Sequence, residues 1–282
     1  MKRFLPGLCL LFVIWSTPAA AQSRPLVTED AETVPAGHIL FEAGFDVQRG
    51  VTYPVSGLTG NLTRVGTFGL SFGVSSIAEI QIDGGIRDVL SITARNPDAP
   101  LAYMLDALGE STSDFEDLRI GAKVRFAQET ATRPSFAIRF STKLPNASNE
   151  SGLGMDTQDF HFGIALAKTV ESVRVVGNAG FAILPDAVRG DRQNDVIEYG
   201  VSIARAVRSG VEVVGELNGR LNTRDGVPIA GTESRSMIRL GARATHGPVR
   251  IDGAFLLGIT EYDPSWGFST GLTWVFRGFN VP

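Results

Sequence analysis

Hydrophobic and polar residues alternate along two neighbouring stretches of the chain, residues 117–126 and 135–144. Alternation with a period of two predicts β-strands with one apolar and one charged face. Each stretch has ten residues, which exceeds the roughly five or six of an ordinary strand and matches the about 9–11 that a tilted membrane-spanning strand needs. We therefore predict a hairpin of a transmembrane barrel, with Phe140 toward lipid and Arg139 toward a lumen.

The same alternation recurs along the chain and gives twelve predicted strands. They lie near residues 38–47, 65–74, 78–87, 117–126, 135–144, 159–166, 173–183, 197–203, 211–221, 235–243, 249–259 and 266–276. The connections after odd-numbered strands are mostly long and polar, with about 16 residues after the first strand and the longest loop at 89–116. In that loop, residues 101–108 have the pattern of a short amphipathic helix. Long loops at one end and short turns at the other are typical of bacterial outer-membrane barrels, whose strand count is even.

The pattern therefore predicts an all-β fold, a transmembrane antiparallel up-and-down β-barrel of about 12 strands over residues 38–276. Residues 22–37 would form a periplasmic N-terminal segment, and residues 277–282 a C-terminal tail. A soluble periplasmic sandwich is the alternative, because its strands also have one apolar face. Strand length, loop asymmetry and a final strand ending in Trp274 and Phe276 argue against it. That ending resembles the C-terminal recognition signal of outer-membrane barrels, which commonly ends the protein, whereas this chain continues for six residues.

The first residues predict the compartment. Lys2 and Arg3 precede an apolar run, and three alanines end at Ala21, which is the pattern of a secretory signal peptide over residues 1–21. Cys9 is the only cysteine, so the mature chain would contain none and could form no internal disulfide. Together with the barrel pattern, this predicts the outer membrane of a Gram-negative bacterium.

Charge and composition narrow the partners. The net charge of −4 becomes −6 when Lys2 and Arg3 are removed, and mild acidity argues against nucleic-acid binding, which needs a concentrated basic face. A hydrophobic fraction of 43% is ordinary, and after the signal no stretch reaches the 18 apolar residues of a spanning helix. The predicted partners are outer-membrane lipid and a small-molecule solute, with the oligomeric state open.

The candidate functional residues are the charged side chains that would face the lumen. They are Glu79, Asp83, Arg119, Lys123, Arg125, Arg139, Lys143, Glu212, Glu216, Arg235, Arg239 and Arg243. Two interpretations stay open. Acidic and basic ladders on adjacent strands can neutralise one another and fill a narrow barrel, or they can polarise a pore and set its solute selectivity. A loop or the N-terminal segment could also plug the lumen.

Enzymatic chemistry is not predicted. The three histidines, His38, His161 and His246, lack the His-x-Ser pattern expected of outer-membrane lipid hydrolases. Three aspartates of one predicted outer loop could bind calcium, but a solvated acidic loop is the favoured interpretation; they are Asp186, Asp191 and Asp195. We therefore assign no catalytic residue, no metal site and no cofactor.

Three stretches resemble one family. Residues 25–31 (Pro-Leu-Val-Thr-Glu-Asp-Ala), the strand at 117–126 and residues 136–145 with their Lys-Leu-Pro ending resemble the outer-membrane transporter-like family of the MetA pathway of phenol degradation. The resemblance implies a barrel for small molecules, with aromatic or hydrophobic compounds among them. The predicted function is an outer-membrane channel or transporter. A non-conducting structural or surface-interaction barrel is the alternative, and a lipid hydrolase the third possibility.

Overall fold

The computed structural model of the protein describes residues 23–281, so the predicted signal peptide lies outside them. Thirteen strands and one 3₁₀ turn, Ala102–Met104, make up its regular structure. The strands are β1 (His38–Tyr53), β2 (Leu58–Gly73), β3 (Ala78–Arg95), β4 (Ser111–Asp114), β5 (Arg119–Ala127), β6 (Ser135–Lys143), β7 (Asp159–Val170), β8 (Val173–Pro185), β9 (Gln193–Arg208), β10 (Val211–Asn222), β11 (Arg235–His246), β12 (Val249–Gly258) and β13 (Trp266–Arg277). None of the helical structure in these residues is long and apolar enough to cross a membrane.

Twelve of these strands close into an antiparallel barrel. Neighbours in the chain pair with one another, β5 pairs with β3, and β13 returns to pair with β1 from Arg277 opposite His38 to Trp266 opposite Arg49. The remaining strand, β4, is a short addition to the outer part of β3. A closed sheet leaves no unpaired strand edge, which is the condition for β-structure in lipid. The predicted twelve-stranded all-β barrel is confirmed.

The outside of the barrel is a belt of apolar side chains. Phe140 is 50% exposed, whereas Lys123, on the inward face of the neighbouring strand, is fully buried. The predicted facing of the β5–β6 hairpin is therefore correct. The belt continues around the wall through Phe45, Val65, Ile80, Phe162, Phe181, Val201, Val213, Leu240, Phe255 and Leu272. An apolar surface of this extent requires lipid, so the protein is a transmembrane barrel of the outer-membrane class and not a soluble sandwich.

Three strands are longer than predicted because their inward face changes partway along. In β1 a register shift separates Gln48 from Val51, and in β2 the pairing with β1 omits Gly66, which has a φ of +70°. In β3 the inward positions change from Asp83 to Asp88. Such bulges interrupt strict alternation. The alternating pattern therefore stops at the bulge, although the strand continues beyond it.

The predicted outer loops change accordingly. The loop of about 16 residues after the first strand is a turn of four residues, 54–57, and the predicted helix at 101–108 is only the 3₁₀ turn. Inside the tall outer part of β1–β3, a buried apolar cluster receives side chains from the loops; its members are Val51, Leu58, Leu62 and Leu90, with Leu105 and Leu153 packed against them. Through this cluster, the outer loops attach to one side of the barrel mouth.

Candidate functional site in the barrel lumen

Residues 24–34, called the lumen segment below, lie inside the barrel. Ala31 and Val34 are fully buried. The Glu216 carboxylate on β10 accepts hydrogen bonds from the backbone N–H groups of Val27 and Thr28, at 2.8 and 2.5 Å. Residues 24–34, which were predicted to belong to a periplasmic N-terminal segment, therefore enter the lumen. A lumen occupied by the N-terminal segment was one of the possibilities left open by the sequence.

The amides of the lumen segment are also fixed by polar side chains of the wall. The Asn178 side chain on β8 accepts from the N–H of Glu29 at 2.7 Å and donates to its carbonyl at 2.8 Å. The Glu79 carboxylate accepts from the N–H of Val34 at 2.5 Å. Because a chain crossing a lumen cannot pair its backbone as a strand does, these side chains satisfy groups that would otherwise lack partners.

The acidic residues of the lumen segment pair with cations on β5, β6 and β8. The predicted lumen cations of β5 and β6 are called the basic stripe below; they are Arg119, Lys123, Arg125, Arg139 and Lys143. Lys123 Nζ lies 3.2 Å from Glu29 and 3.1 Å from Glu79. Arg174 holds both carboxylate oxygens of Asp30, at 2.5 and 2.6 Å. Further along, Arg125 contacts Glu32, and Lys143 lies 2.9 Å from Asp117 and 3.4 Å from Asp159. Most of the predicted stripe is thus neutralised, partly by the protein's own N-terminal residues.

The second predicted ladder is paired between adjacent strands. Glu212 and Glu216 on β10 lie opposite Arg243 and Arg239 on β11, with N–O distances of 2.7 and 2.8 Å. Arg235 donates instead to two backbone carbonyls, that of Tyr262 in a loop and that of Thr52 in β1. The neutralising interpretation therefore describes the geometry of this wall, while a role of these residues in selectivity stays a prediction.

Two members of the basic stripe face open space. Arg139 lies 3.6 Å from both Glu29 and Asp83. Arg139 Nε also donates to Gln81 Oε1 at 2.8 Å, whereas Arg119 has neither an ion pair nor a hydrogen-bond partner for its side chain among residues 23–281. Both line a cavity of about 410 Å³ in the middle of the lumen, called the central chamber below.

The central chamber adjoins a second cavity toward the outer loops. This outer vestibule has a volume of about 470 Å³ and reaches the loop residues Ser56, Gly152 and Asp263. Both cavities are lined by Glu198, Asn218 and Gly219, so they are adjacent there. On its other side the central chamber is bounded by Leu26–Glu29 of the lumen segment. The open space thus runs from the outer mouth to the lumen segment.

Three glycines leave gaps in the inward face of β7, β8 and β9. Gly163 and Gly180 are directly opposite each other in the ladder, and Gly200 on β9 is opposite Asn178 on β8. A Cβ at Gly163 would meet nothing closer than a carbonyl oxygen at 3.4 Å, whereas one at Gly200 would meet Thr28 of the lumen segment. The missing side chain at Gly163 leaves volume for the chamber, and the missing side chain at Gly200 leaves room for Thr28 of the lumen segment.

Alternation predicts His161 and Gly163 on the polar face of their strand, but neither they nor the acidic residues of the lumen segment were among the predicted functional residues. One signal was available. The predicted strands of the hairpin carry five cations, and β3 offers only Glu79 and Asp83 beside them, so further carboxylates were needed. Glu29, Asp30 and Glu32 form an acidic cluster outside the predicted strands. Residues 23–281 contain no group of three or more metal-ligating side chains.

His161 is placed by an acidic neighbour. Its Nδ1 lies 3.0 Å from Glu198 Oε1 across the chamber wall. The ring is 9% exposed and Nε2 has no hydrogen-bond partner among the described residues. His161 is therefore a residue of the lumen wall.

Comparison with known proteins gives a fold and no family. No protein-family model and no curated protein matches the chain. Among solved structures, it is similar to the COG4313 outer membrane channel from Pseudomonas putida F1, with a TM-score of 0.62, 15% identity, and coverage of 88% of this chain and 98% of that chain. It is also similar to the NanC porin (TM-score 0.49, 9% identity, 86% and 100% covered) and to LpxR from Salmonella typhimurium (0.44, 11%, 83% and 100%). The likeness to the first is one of fold, that of an outer-membrane β-barrel, and the resemblance to the phenol-pathway family stays a prediction.

Proposed function

We propose that the protein is an outer-membrane channel for small molecules. The observation that carries the proposal is the succession of two adjacent cavities, the outer vestibule and the central chamber, which share Glu198, Asn218 and Gly219 in their walls. A solute entering from the outer side would reach the middle of the barrel. The COG4313 protein, which has the same fold, is described as an outer membrane channel, which supports this function.

The lumen segment is the part of the proposed path that a solute must pass or displace. It bounds the central chamber through Leu26–Glu29 and is held by carboxylates, amides and cations from β3, β5, β8 and β10. We propose that this segment narrows the inner half of the channel.

Conductance in a planar bilayer tests the function. The mature chain is compared with a variant that lacks residues 23–34, in which the lumen is no longer occupied by its own chain. We expect the mature protein to conduct and the deletion variant to conduct more, because the narrowest part of the path is removed. If neither folded protein conducts, the channel function is wrong.

A non-conducting barrel is the second candidate, because the lumen segment is fixed by ion pairs and hydrogen bonds along its length. It would be supported if the mature chain were silent in the bilayer while the deletion variant conducted. That result would show that the barrel encloses a pore and that the protein in its mature form keeps this pore closed.

A further inference from the structure

The wall of the central chamber contains polar side-chain atoms that have no hydrogen-bond partner among the described residues. Ser141 is 1% exposed and His161 9% exposed, yet Ser141 Oγ and His161 Nε2 lack hydrogen-bond partners there. Both residues line the chamber, as does Arg119, whose side chain has no partner in the described chain either. Buried polar groups are satisfied in nearly all native structures, so two such groups beside the half-buried Arg119 in one cavity call for an occupant.

The three groups are neighbours on the wall. Ser141 on β6 and His161 on β7 are directly opposite each other in the ladder. Arg119 on β5 lies opposite Lys143, which is two positions from Ser141 on the same face of β6. Diagonal neighbours of this kind have Cα atoms about 7–8 Å apart, which a long arginine side chain spans easily. The geometry places the three groups within reach of one small ligand.

The chemistry of this trio favours an oxygen anion. A guanidinium is a donor only, and its planar arrangement of N–H groups matches a carboxylate. The serine hydroxyl can donate to the same group, and the His161 ring lies directly opposite, with Nδ1 directed at Glu198 and Nε2 without a partner among the described residues. The nearby carboxylates of Asp83 and Glu29 face Arg139, which leaves Arg119 as the cation of the chamber without an acid of its own.

The rest of the chamber suits an apolar body. Gly163 and Gly180 present bare backbone, and the inward-facing Ala165 and Leu26 of the lumen segment add apolar surface. A volume of about 410 Å³ falls within the roughly 300–1,000 Å³ of small-ligand sites. The hydrocarbon part of a ligand would fit beside Gly163 and Gly180, while a carboxylate at its other end would contact Arg119.

We infer that the central chamber is a binding site for a small organic carboxylate, held through its carboxylate by Arg119, Ser141 and His161. The inference rests on the proposed channel function, because it names the class of solute that would pause in the path. Water alone could also occupy these donors, and that possibility is an outcome of the test.

Equilibrium binding of benzoate to the full mature chain, refolded in detergent and followed by calorimetry, tests the site without requiring conduction. We expect saturable binding to one site. Arg119→Gln should raise Kd about tenfold or more, since it removes a charge-assisted hydrogen-bond donor, and Ser141→Ala should raise it several-fold. Gly163→Leu, which fills the chamber from β7, should abolish binding.

Arg87→Gln is the matched control, because Arg87 is exposed on β3 and donates to Ser113 outside the lumen; it should bind benzoate like the parent. Circular dichroism must show that each variant is folded. The inference is overturned if the folded parent shows no saturable binding, which would leave water as the only occupant. It is also overturned if Arg119→Gln and Arg87→Gln bind alike, or if benzyl alcohol binds as tightly as benzoate. A conducting protein that binds no benzoate would refute the site and leave the channel function standing.

Discussion

Lys123 is the most completely enclosed charge of the lumen. It is fully buried, with its ammonium group between the carboxylates of Glu79 and Glu29. Sequence alternation correctly predicted that this lysine points inward, since facing is a local property of a strand. It could not predict that one of the two acidic partners comes from a segment 94 residues away along the chain.

We expect Lys123→Met to destabilise the barrel by about 3–5 kcal/mol, because it leaves Glu79 buried without its cation. The double variant Lys123→Met with Glu79→Gln should recover most of that loss. Unfolding in urea, with the protein in lipid vesicles, measures both values. Equal stability of the single variant and the parent would show that this pair is solvated, contrary to the structure.

Phe140 tests the opposite face of the same hairpin. It lies near the middle of β6 and is half exposed on the outside of the barrel. Phe140→Arg places a charge in lipid and should cost about 2–4 kcal/mol if the site is near the midplane, whereas Phe140→Leu should cost much less. The same urea unfolding experiment compares them, and a tolerated arginine would contradict the assigned register.

Asp186 offers a pH test outside the membrane. Burial acts to raise the pKa of its carboxyl, but hydrogen bonds from the N–H groups of Val188 and Arg189 and the ion pair with Arg192 outweigh burial and lower it. A lowered pKa stabilises the outer loop above the ordinary aspartate pKa of about 3.9, and this contribution is lost as the pH falls below that value. We expect amide exchange of residues 187–192 to accelerate in acid, after correction for intrinsic rates. Asp186→Asn should remove the extra acid dependence, and a loop with the same protection at pH 3 and pH 7 would contradict this.

At the scale of elements, the strands were predicted well where alternation is strict. The facing of β5 and β6 and the number of barrel strands follow from local pattern. The upper halves of β1–β3 were missed because bulges near Gly50 and Gly66 exchange the inward and outward positions. The position of the lumen segment inside the barrel was not predictable either, because it depends on contacts with strands far along the chain, such as that of Val27 with Glu216 of β10.

A disulfide bond can attach the lumen segment covalently to β9. A Cβ at Gly200 would lie 3.5 Å from Thr28 Cβ, which is within the Cβ–Cβ range of a disulfide, about 3.5–4.5 Å. The only cysteine of the chain is Cys9, so in a mature chain starting at Gln22 the pair Thr28→Cys and Gly200→Cys would have no competitor. If the segment moves during conduction, the oxidised variant should have a lower conductance that a reductant restores. Thr28→Cys alone is the control, and a reductant without effect on the double variant would mean that the segment stays in place while the channel conducts.

At the scale of the whole molecule, the predicted selectivity residues fall into two groups. Most are paired with one another or with the lumen segment, and a glutamate at Lys123 would repel Glu79 and Glu29 rather than only recharge the pore. Arg119 faces the central chamber without an ion pair in the described chain. It is therefore the position at which a change of charge acts on a solute and not on the fold.

Arg119→Glu should shift ion selectivity toward cations, since it reverses an unpaired charge in the path. Reversal potentials under a salt gradient measure the shift, which should be largest at low ionic strength because salt screens charges over about 10 Å at 0.1 M. Arg87→Glu, outside the lumen, is the control. If the mature chain is silent, both changes are made in the variant lacking residues 23–34. An unchanged reversal potential in a conducting Arg119→Glu protein would assign this residue no part in selectivity.

The position of Arg24 has a consequence for the order of assembly. Its guanidinium donates to Ser269 and to the carbonyl of Thr270 on β13, a separation of 246 residues in the second case. Ribosomes and export machinery deliver the N-terminal end first, but these partners arrive with the last strand. Arg24 can therefore form these hydrogen bonds only after the whole chain has been synthesised and β13 has joined the barrel. In a chain truncated before β13, the Arg24 side chain would lack these partners.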